Sequence, residues 1–247
     1  MGTKLSINLN AVALLRNRRN LPWPNMLEIA NIGLNAGASG ITIHPRPDER
    51  HIRYSDIKIL SEFLNNNFPT AEFNIEGYPS DIFLDHTIEY ADQITLVPDS
   101  PAQSTSDHGW DIATQKNILS IAIDKIKQRK DISVSVFVNP GDISMQEFKD
   151  LGADKVEIYT GIYGACYNDD VEEYRQALLI KETAEAAMKV GLKVNAGHDL
   201  TLDNLSKLLG YVSDLNEISI GHSLISEALI YGMDGAVRRF LRVINGI

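Results

Sequence analysis

Three histidines, His44, His198 and His222, each fall where a short β-rich run gives way to a turn, and His51 follows the second run by a few residues. Glu76 closes another such run, in Asn74-Ile75-Glu76. Histidine titrates near neutrality, and a carboxyl group partly buried at the mouth of a fold is pushed up toward the same range. His44, Glu76 and His198 therefore suit acid–base work on a carbonyl compound. Glu157, inside the sixth run, is a further candidate carboxylate. The second theme is anion binding. Gly221-His222-Ser223 ends the last run and opens a helix, and the N–H groups of a helix start bind phosphate. Arg16, Arg18 and Arg19 follow the first run, and Arg46, Arg50 and Arg53 the second; guanidinium groups grip phosphate through paired hydrogen bonds. Arg18, Arg50 and Arg53 are expected to pair with surface acids instead.

Other chemistries fit less well. A Schiff-base mechanism needs a lysine at a run's end, whereas Lys4, Lys155 and Lys193 stand at run starts. A metal centre needs clustered ligands, but no His-x-His occurs and Glu76 is the one carboxylate directly ending a run beside histidines. Metal-assisted hydrolysis stays open as the less favoured chemistry. The single cysteine, Cys166, forbids an internal disulfide and suits a reducing, cytoplasmic setting. A net charge of −10 argues against nucleic acid and anionic membranes as partners. Residues 16–53 run the other way, with six arginines against Glu28, Asp48 and Glu49. No secretion signal is read at the N-terminus, and no stretch approaches the ~18 apolar residues of a spanning helix.

The elements that must position these residues alternate along the chain. Eight β-rich runs are predicted: Leu5–Leu9, Gly40–His44, Glu72–Glu76, Gln93–Val97, Ser133–Val138, Lys155–Tyr159, Lys193–Ala196 and Glu217–Gly221. They read as short and mostly continuous in apolar character, as strands buried on both faces do. Between them lie stretches with apolar residues at helical spacing, such as Met26 through Leu34. Gly37, Gly152 and Gly191 stand where a helix ends and a strand follows, and Thr201 precedes a helix as a cap. Eight βα units in 247 residues predict a (β/α)8 (TIM) barrel, one domain over residues 1–247, with chemistry at the strand C-termini. An open doubly wound sheet is the rival. It usually carries a glycine-rich loop after its first strand, where this chain has Asn8-Leu9-Asn10. The stretch from Asp99 to His108, with Ser104, Thr105 and Ser106, is a lid candidate by position and composition.

Taken in order, these motifs are recognisable. Asn8-Leu9-Asn10, Leu15-Arg16-Asn17, Gly40-Ile41-Thr42-Ile43-His44-Pro45-Arg46, Arg50-His51-Ile52, Asn74-Ile75-Glu76, Leu96-Val97-Pro98, Glu157 through Gly161, Gly191 through His198 and Ile220-Gly221-His222 span essentially the whole chain. It resembles the pyridoxine 5′-phosphate synthase family. The resemblance implies condensation of 1-deoxy-D-xylulose 5-phosphate with 3-amino-2-oxopropyl phosphate, giving pyridoxine 5′-phosphate, phosphate and water, without a cofactor and in a homo-octamer. Carried over by motif, His44 would be the general base, Glu76 a second acid–base group and His198 the proton donor. Asn8, Arg19, Gly221 and His222 would hold the amino-ketone phosphate. Asn10, Arg46, His51 and Thr105 would meet the sugar phosphate, with Asp199 beside them. Two departures stand out: Asn10-Ala11 where the family often has Asp-His, and Asp199 where glycine is common. Another phosphosugar isomerase or lyase on the same scaffold is the alternative, and a non-catalytic barrel that binds phosphorylated metabolites is a third reading.

Overall fold

The computed structural model describes residues 2–19, 21–99, 103, 105–129, 131–212 and 214–247. In chain order the elements are β1 (Lys4–Asn8), α1 (Asn10–Asn17), α2 (Met26–Asn35), β2 (Gly40–Ile43), α3 (Tyr54–Asn67), β3 (Glu72–Gly77), α4 (Asp81–Thr87), β4 (Gln93–Leu96) and α5 (Ile112–Ile126). Then follow β5 (Ser133–Val138), α6 (Met145–Asp150), β6 (Lys155–Tyr159), α7 (Gly161–Gly164), α8 (Asp170–Lys189), β7 (Lys193–Gly197), α9 (Leu202–Tyr211), β8 (Glu217–Ile220) and α10 (His222–Ile244). The eight strands are parallel and pair in sequence order, and β8 closes on β1. The expected (β/α)8 barrel is therefore the fold. Among the described residues, no helix is long and apolar enough to cross a membrane.

Local chemistry explains the joints. Gly37, Gly152 and Gly191 have φ of +114°, +95° and +77°, the left-handed conformation a helix C-terminus needs before the chain turns into a strand. Thr201 and Asn204 cap α9 reciprocally: the Asn204 N–H donates to Thr201 Oγ1 at 3.3 Å, and the Thr201 N–H to Asn204 Oδ1 at 2.7 Å.

One expectation about the strands is corrected. They are not uniformly apolar; they alternate. Leu5, Ile7, Ile41, Ile43, Phe73, Ile75, Ile94, Leu96, Val134, Val136, Val156, Ile158, Val194, Ile218 and Ile220 are all buried, and they face the surrounding helices. The intervening residues face inward, and nearly all are polar: Ser6, Thr42, Asn74, Thr95, Gln93, Ser135, Glu157, Asn195, Glu217 and Ser219. They are equally buried, so their polarity must be answered inside the barrel. A chain of hydrogen bonds does much of this. Ser6 Oγ lies 2.7 Å from Thr42 Oγ1, Asn74 Nδ2 donates to Thr42 Oγ1 at 3.3 Å, and Thr95 Oγ1 donates to Asn74 Oδ1 at 2.9 Å.

Lys155 belongs to this interior. Lys4 and Lys193 are exposed at their strand starts, but Lys155 is buried, and its Nζ donates to Glu72 Oε2 at 2.9 Å. Glu217, also inside, is pushed up to about 8 by burial and by the Glu72 charge, against the pull of Lys155. Removing one partner of a buried ion pair strands the other, which costs about 3–5 kcal/mol. Lys155→Met is accordingly expected to destabilise the fold by that order in denaturant unfolding. A loss below about 1 kcal/mol would show that Glu72 finds another partner or takes up a proton at little cost.

Candidate active site

A cavity of about 340 Å³ opens at the C-terminal ends of the strands. Asn8, Asn10, His44, Arg46, His51, Glu76, Thr105, Glu157, His198, Asp199, Gly221 and His222 all line it. Arg19 does not; it is exposed just past α1. Ser104 lies outside the described residues.

The first strand sets the second. Asn8 Oδ1 accepts a hydrogen bond from the Asn10 N–H at 2.9 Å, and Asn10 Oδ1 accepts one from the His44 N–H at 2.9 Å. These two asparagines fix where His44 leaves β2. Its ring is buried, with Nδ1 3.9 Å from Glu76 Oε2 and Nε2 3.9 Å from Asp99 Oδ2. Burial, and after it the Arg46 charge, hold His44 well below the usual imidazole range. Burial and the charges of Glu157, Asp99 and Glu217 push Glu76 well above the usual carboxyl range, with Arg46 opposing. Both groups are thereby favoured in their neutral forms, a base beside an acid.

His198 sits at the end of β7 in an unusual backbone. It has φ of +84° and Asp199 has φ of +54°. The Thr160 hydroxyl lies within 2.6 Å of the Gly197 carbonyl and 2.5 Å of the His198 carbonyl, and so braces this turn from β6. The His198 ring packs against Phe137 (5.0 Å between centroids) and edge-on to Tyr159 (5.5 Å). Burial lowers its basicity, while the charges of Asp199 and Asp99 act the other way.

The arginines divide. Arg16 is committed to structure: it grips Asp56 at 2.8 and 2.9 Å and donates to the His51 carbonyl at 3.2 Å. Asn17 Nδ2 holds the same carbonyl at 2.7 Å, so this pair fixes the turn carrying His51. Arg50 pairs with Asp48 at 2.8 Å, as expected of it. Arg46 is buried; it pairs with Asp99 and donates to the Gln103 carbonyl at 3.0 Å. The Ile52 N–H donates to His51 Nδ1 at 2.9 Å, which places that ring's proton on Nε2. Burial and the charges of Arg46 and Arg50 take His51 down to about 4, so it enters the cavity as a neutral donor.

Gly221 caps α10, and His222 and Ser223 begin it at the cavity wall. The first N–H groups of a helix lack partners inside the helix, and here they face a cavity. Asp99 is the residue that sequence reasoning passed over. Its place after a strand was visible, but nothing in the sequence tells that it pairs with Arg46.

A family model described as "Pyridoxal phosphate biosynthesis protein PdxJ" matches residues 5–246. The chain belongs to the PdxJ family. Curated relatives named "Pyridoxine 5'-phosphate synthase" include one from Rhizobium meliloti (strain 1021), 49% identical over 98% of each chain. Another from Chelativorans sp. (strain BNC1) is 50% identical over 98% of each, and one from Brucella abortus (strain S19) is 47% identical over 100% of each. Solved structures share the fold alone. KGPDC from Streptococcus mutans has a TM-score of 0.65 at 14% identity, covering 100% of this chain and 99% of that one. A mutant tryptophan synthase alpha-subunit from Pyrococcus furiosus has 0.63 at 14%, covering 100% and 98%.

Against the PdxJ pattern, Asn10 keeps an oxygen acceptor for the His44 N–H, the same acceptor an aspartate would offer. Asp199 takes a positive φ of +54°, a conformation that glycine adopts without steric cost. Glu157, at the cavity floor, is pushed by burial from an ordinary 4.5 to about 7, with Lys155 opposing. The folded state therefore holds this proton where the unfolded chain has lost it. The resulting stability is fully present below about pH 4.5 and is lost as pH rises to about 7. Glu157→Gln should flatten the fall in unfolding free energy across that window. An unchanged slope would remove Glu157 as its source.

Proposed function

We propose that this protein condenses 1-deoxy-D-xylulose 5-phosphate with 3-amino-2-oxopropyl phosphate to give pyridoxine 5′-phosphate, phosphate and water. The observation that carries the reading is a neutral base, His44, beside a neutral acid, Glu76, at the floor of a cavity with anion-binding groups on two sides, in a chain matched end to end by the named synthases. The condensation needs an amine joined to a ketone, water expelled, one substrate's phosphate expelled by cleavage of its C–O bond, and a ring closed. Each step moves a proton onto or off an oxygen, nitrogen or carbon. His44 takes a proton as general base. Glu76 gives and takes one beside it. His198, across the cavity, donates to a departing oxygen. Glu157 lies below as a further acid–base group that titrates near neutrality, at about 7.

Two phosphorylated substrates need two anion sites. The start of α10, with Gly221 and His222, and Asn8 from β1 would hold the amino-ketone phosphate. Arg19 would join them by swinging in from its exposed position. Arg46, His51, Asn10 and Thr105 would meet the sugar phosphate, with Asp199 lining the wall between His198 and α10. Side-chain acids and bases suffice for this chemistry, so no metal or organic cofactor is assigned a part. Among the described residues, no group of three or more His, Cys, Asp or Glu could hold a metal ion. The proposed setting is the cytoplasm, and the proposed assembly a homo-octamer. Exposed apolar side chains such as Val171, Tyr174 and Leu178, spaced along one face of α8, would suit subunit contacts.

The two substrates incubated with the protein in EDTA should yield pyridoxine 5′-phosphate. No product with or without metal would overturn the reading, and a rearranged or cleaved single sugar phosphate would favour an isomerase or lyase. Glu76→Gln should lower turnover by about 10²–10⁴-fold while far-UV circular dichroism stays native. Near-normal turnover would remove Glu76 from the mechanism. Arg46→Ala should weaken sugar-phosphate binding by roughly 1.5–3 kcal/mol in calorimetry. Unchanged affinity would show that the phosphate sits elsewhere.

A further inference from the structure

Asp99 follows β4 and is 5% exposed, yet it does not line the 340 Å³ cavity. Its Oδ2 gathers three neighbours. It pairs with Arg46 Nη2, accepts a hydrogen bond from the Ser106 hydroxyl at 2.7 Å, and stands 3.9 Å from His44 Nε2. Its Oδ1 is buried without a hydrogen-bond partner. On the other side of the same ring, His44 Nδ1 faces Glu76 at 3.9 Å. The imidazole thus lies between two carboxyl groups delivered by two neighbouring strands.

A buried imidazole that gains a proton becomes a costly cation unless an anion lies close. Glu76 offers none while it keeps its own proton, the form that its surroundings favour. Arg46, Arg50 and His51 from the segment after β2, and His198 from the end of β7, all disfavour a charge on His44. Asp99 is placed to oppose them. We propose that Asp99 is a positioning residue of this site: from the side opposite Glu76 it steadies His44 when that ring carries a proton, and it holds the Arg46 guanidinium where the segments after β2 and β4 meet. The kinetic consequence rests on His44 acting as the base of the condensation; the geometry does not.

The test is the pH dependence of turnover in Asp99→Asn, with Asp99→Glu and Ser106→Ala beside it. Ser106→Ala keeps every charge and removes only the hydroxyl that orients the carboxylate. Wild-type turnover establishes the function first. Asp99→Asn should then lower kcat by about tenfold or more, with KM for the amino-ketone phosphate little changed and any rise in KM confined to the sugar phosphate that Arg46 meets. Loss of the anion makes His44 a weaker base, so the acid limb of the profile should move to lower pH by roughly half a unit or more. Asp99→Glu should restore part of the rate, and Ser106→Ala should show a smaller shift of the same sign. A loss confined to KM, or an acid limb that stays put, overturns the proposal and leaves Asp99 as an anchor for Arg46 alone. Should Asp99→Asn fail to fold, the other two variants decide by the same limb. Should the wild type make no product, the reading of function fails, and the His44 ring titration followed by NMR takes the limb's place. A ring no less basic in the variants overturns the proposal there too.

Discussion

Away from the strand ends, the inward-facing positions of this barrel lie in a space that water scarcely reaches, and most of them are polar. That is the constraint on which the rest of the molecule depends. A closed barrel of eight strands has an interior just wide enough to be filled by side chains, most often branched aliphatic ones. Here the aliphatic residues are spent on the outer face, where they pack against the helices. The interior is filled by hydroxyls, amides and carboxyls that must satisfy one another. Ser6, Thr42, Asn74 and Thr95 do so across four successive strands, and Lys155 with Glu72 does so as an ion pair. Because a one-residue slip would exchange the two faces of a strand, this pattern also fixes the register strongly.

The site at the top inherits its protonation states from that interior. Desolvation penalises charge of either sign, so it acts on histidine and glutamate in opposite directions. It drives His44 down and Glu76 up, and both arrive at neutrality for the same reason. No dedicated device is needed to keep an acid protonated beside a free base. The remaining charges then matter by their positions. Arg46 opposes proton uptake at His44 and also tempers Glu76, while its own burial is made tolerable by Asp99. The carboxylates inside the barrel, Glu157 and Glu217, add to the field at Glu76 from below. The floor of the barrel is therefore part of the chemistry's setting and not merely its support.

Much of this was legible in the order of residues, and the exceptions have physical causes. Strand positions, the glycines that end helices and the residues at strand C-termini follow from local rules. The strand interiors, by contrast, look like ordinary β-runs whether the barrel is filled with valine or with asparagine. Reading them as mostly continuous in apolar character missed that Ser, Thr, Asn, Gln and Glu recur at most of the alternate places, from Ser6 to Ser219. Arginine roles were harder still. Arg16 and Arg19 are three residues apart in one positive stretch, yet one is locked to Asp56 across the fold and the other is exposed. Only the place of Asp56 in the first turn of α3, within reach of Arg16, separates them. Asp99 was invisible for a related reason: its partners Arg46 and His44 lie more than fifty residues away in sequence.

The turn at His198 and Asp199 shows what the site asks of its scaffold. Two consecutive residues with side chains hold positive φ, a conformation that costs of order 1 kcal/mol or more for such residues and persists only where the surroundings over-determine it. Those surroundings are visible. Thr160 braces the carbonyls of Gly197 and His198, Asn204 Nδ2 donates to the Asp199 carbonyl at 3.0 Å, and Phe137 and Tyr159 enclose the His198 ring. A relaxed extended continuation of β7 would carry the ring away from this box. The strained turn places an imidazole on the cavity wall, and α9, through its capping asparagine, is recruited to keep it there. The same Asn204 that caps α9 thus also fixes the backbone beside His198, so the stability of a helix end and the geometry of a candidate proton donor rest on one side chain.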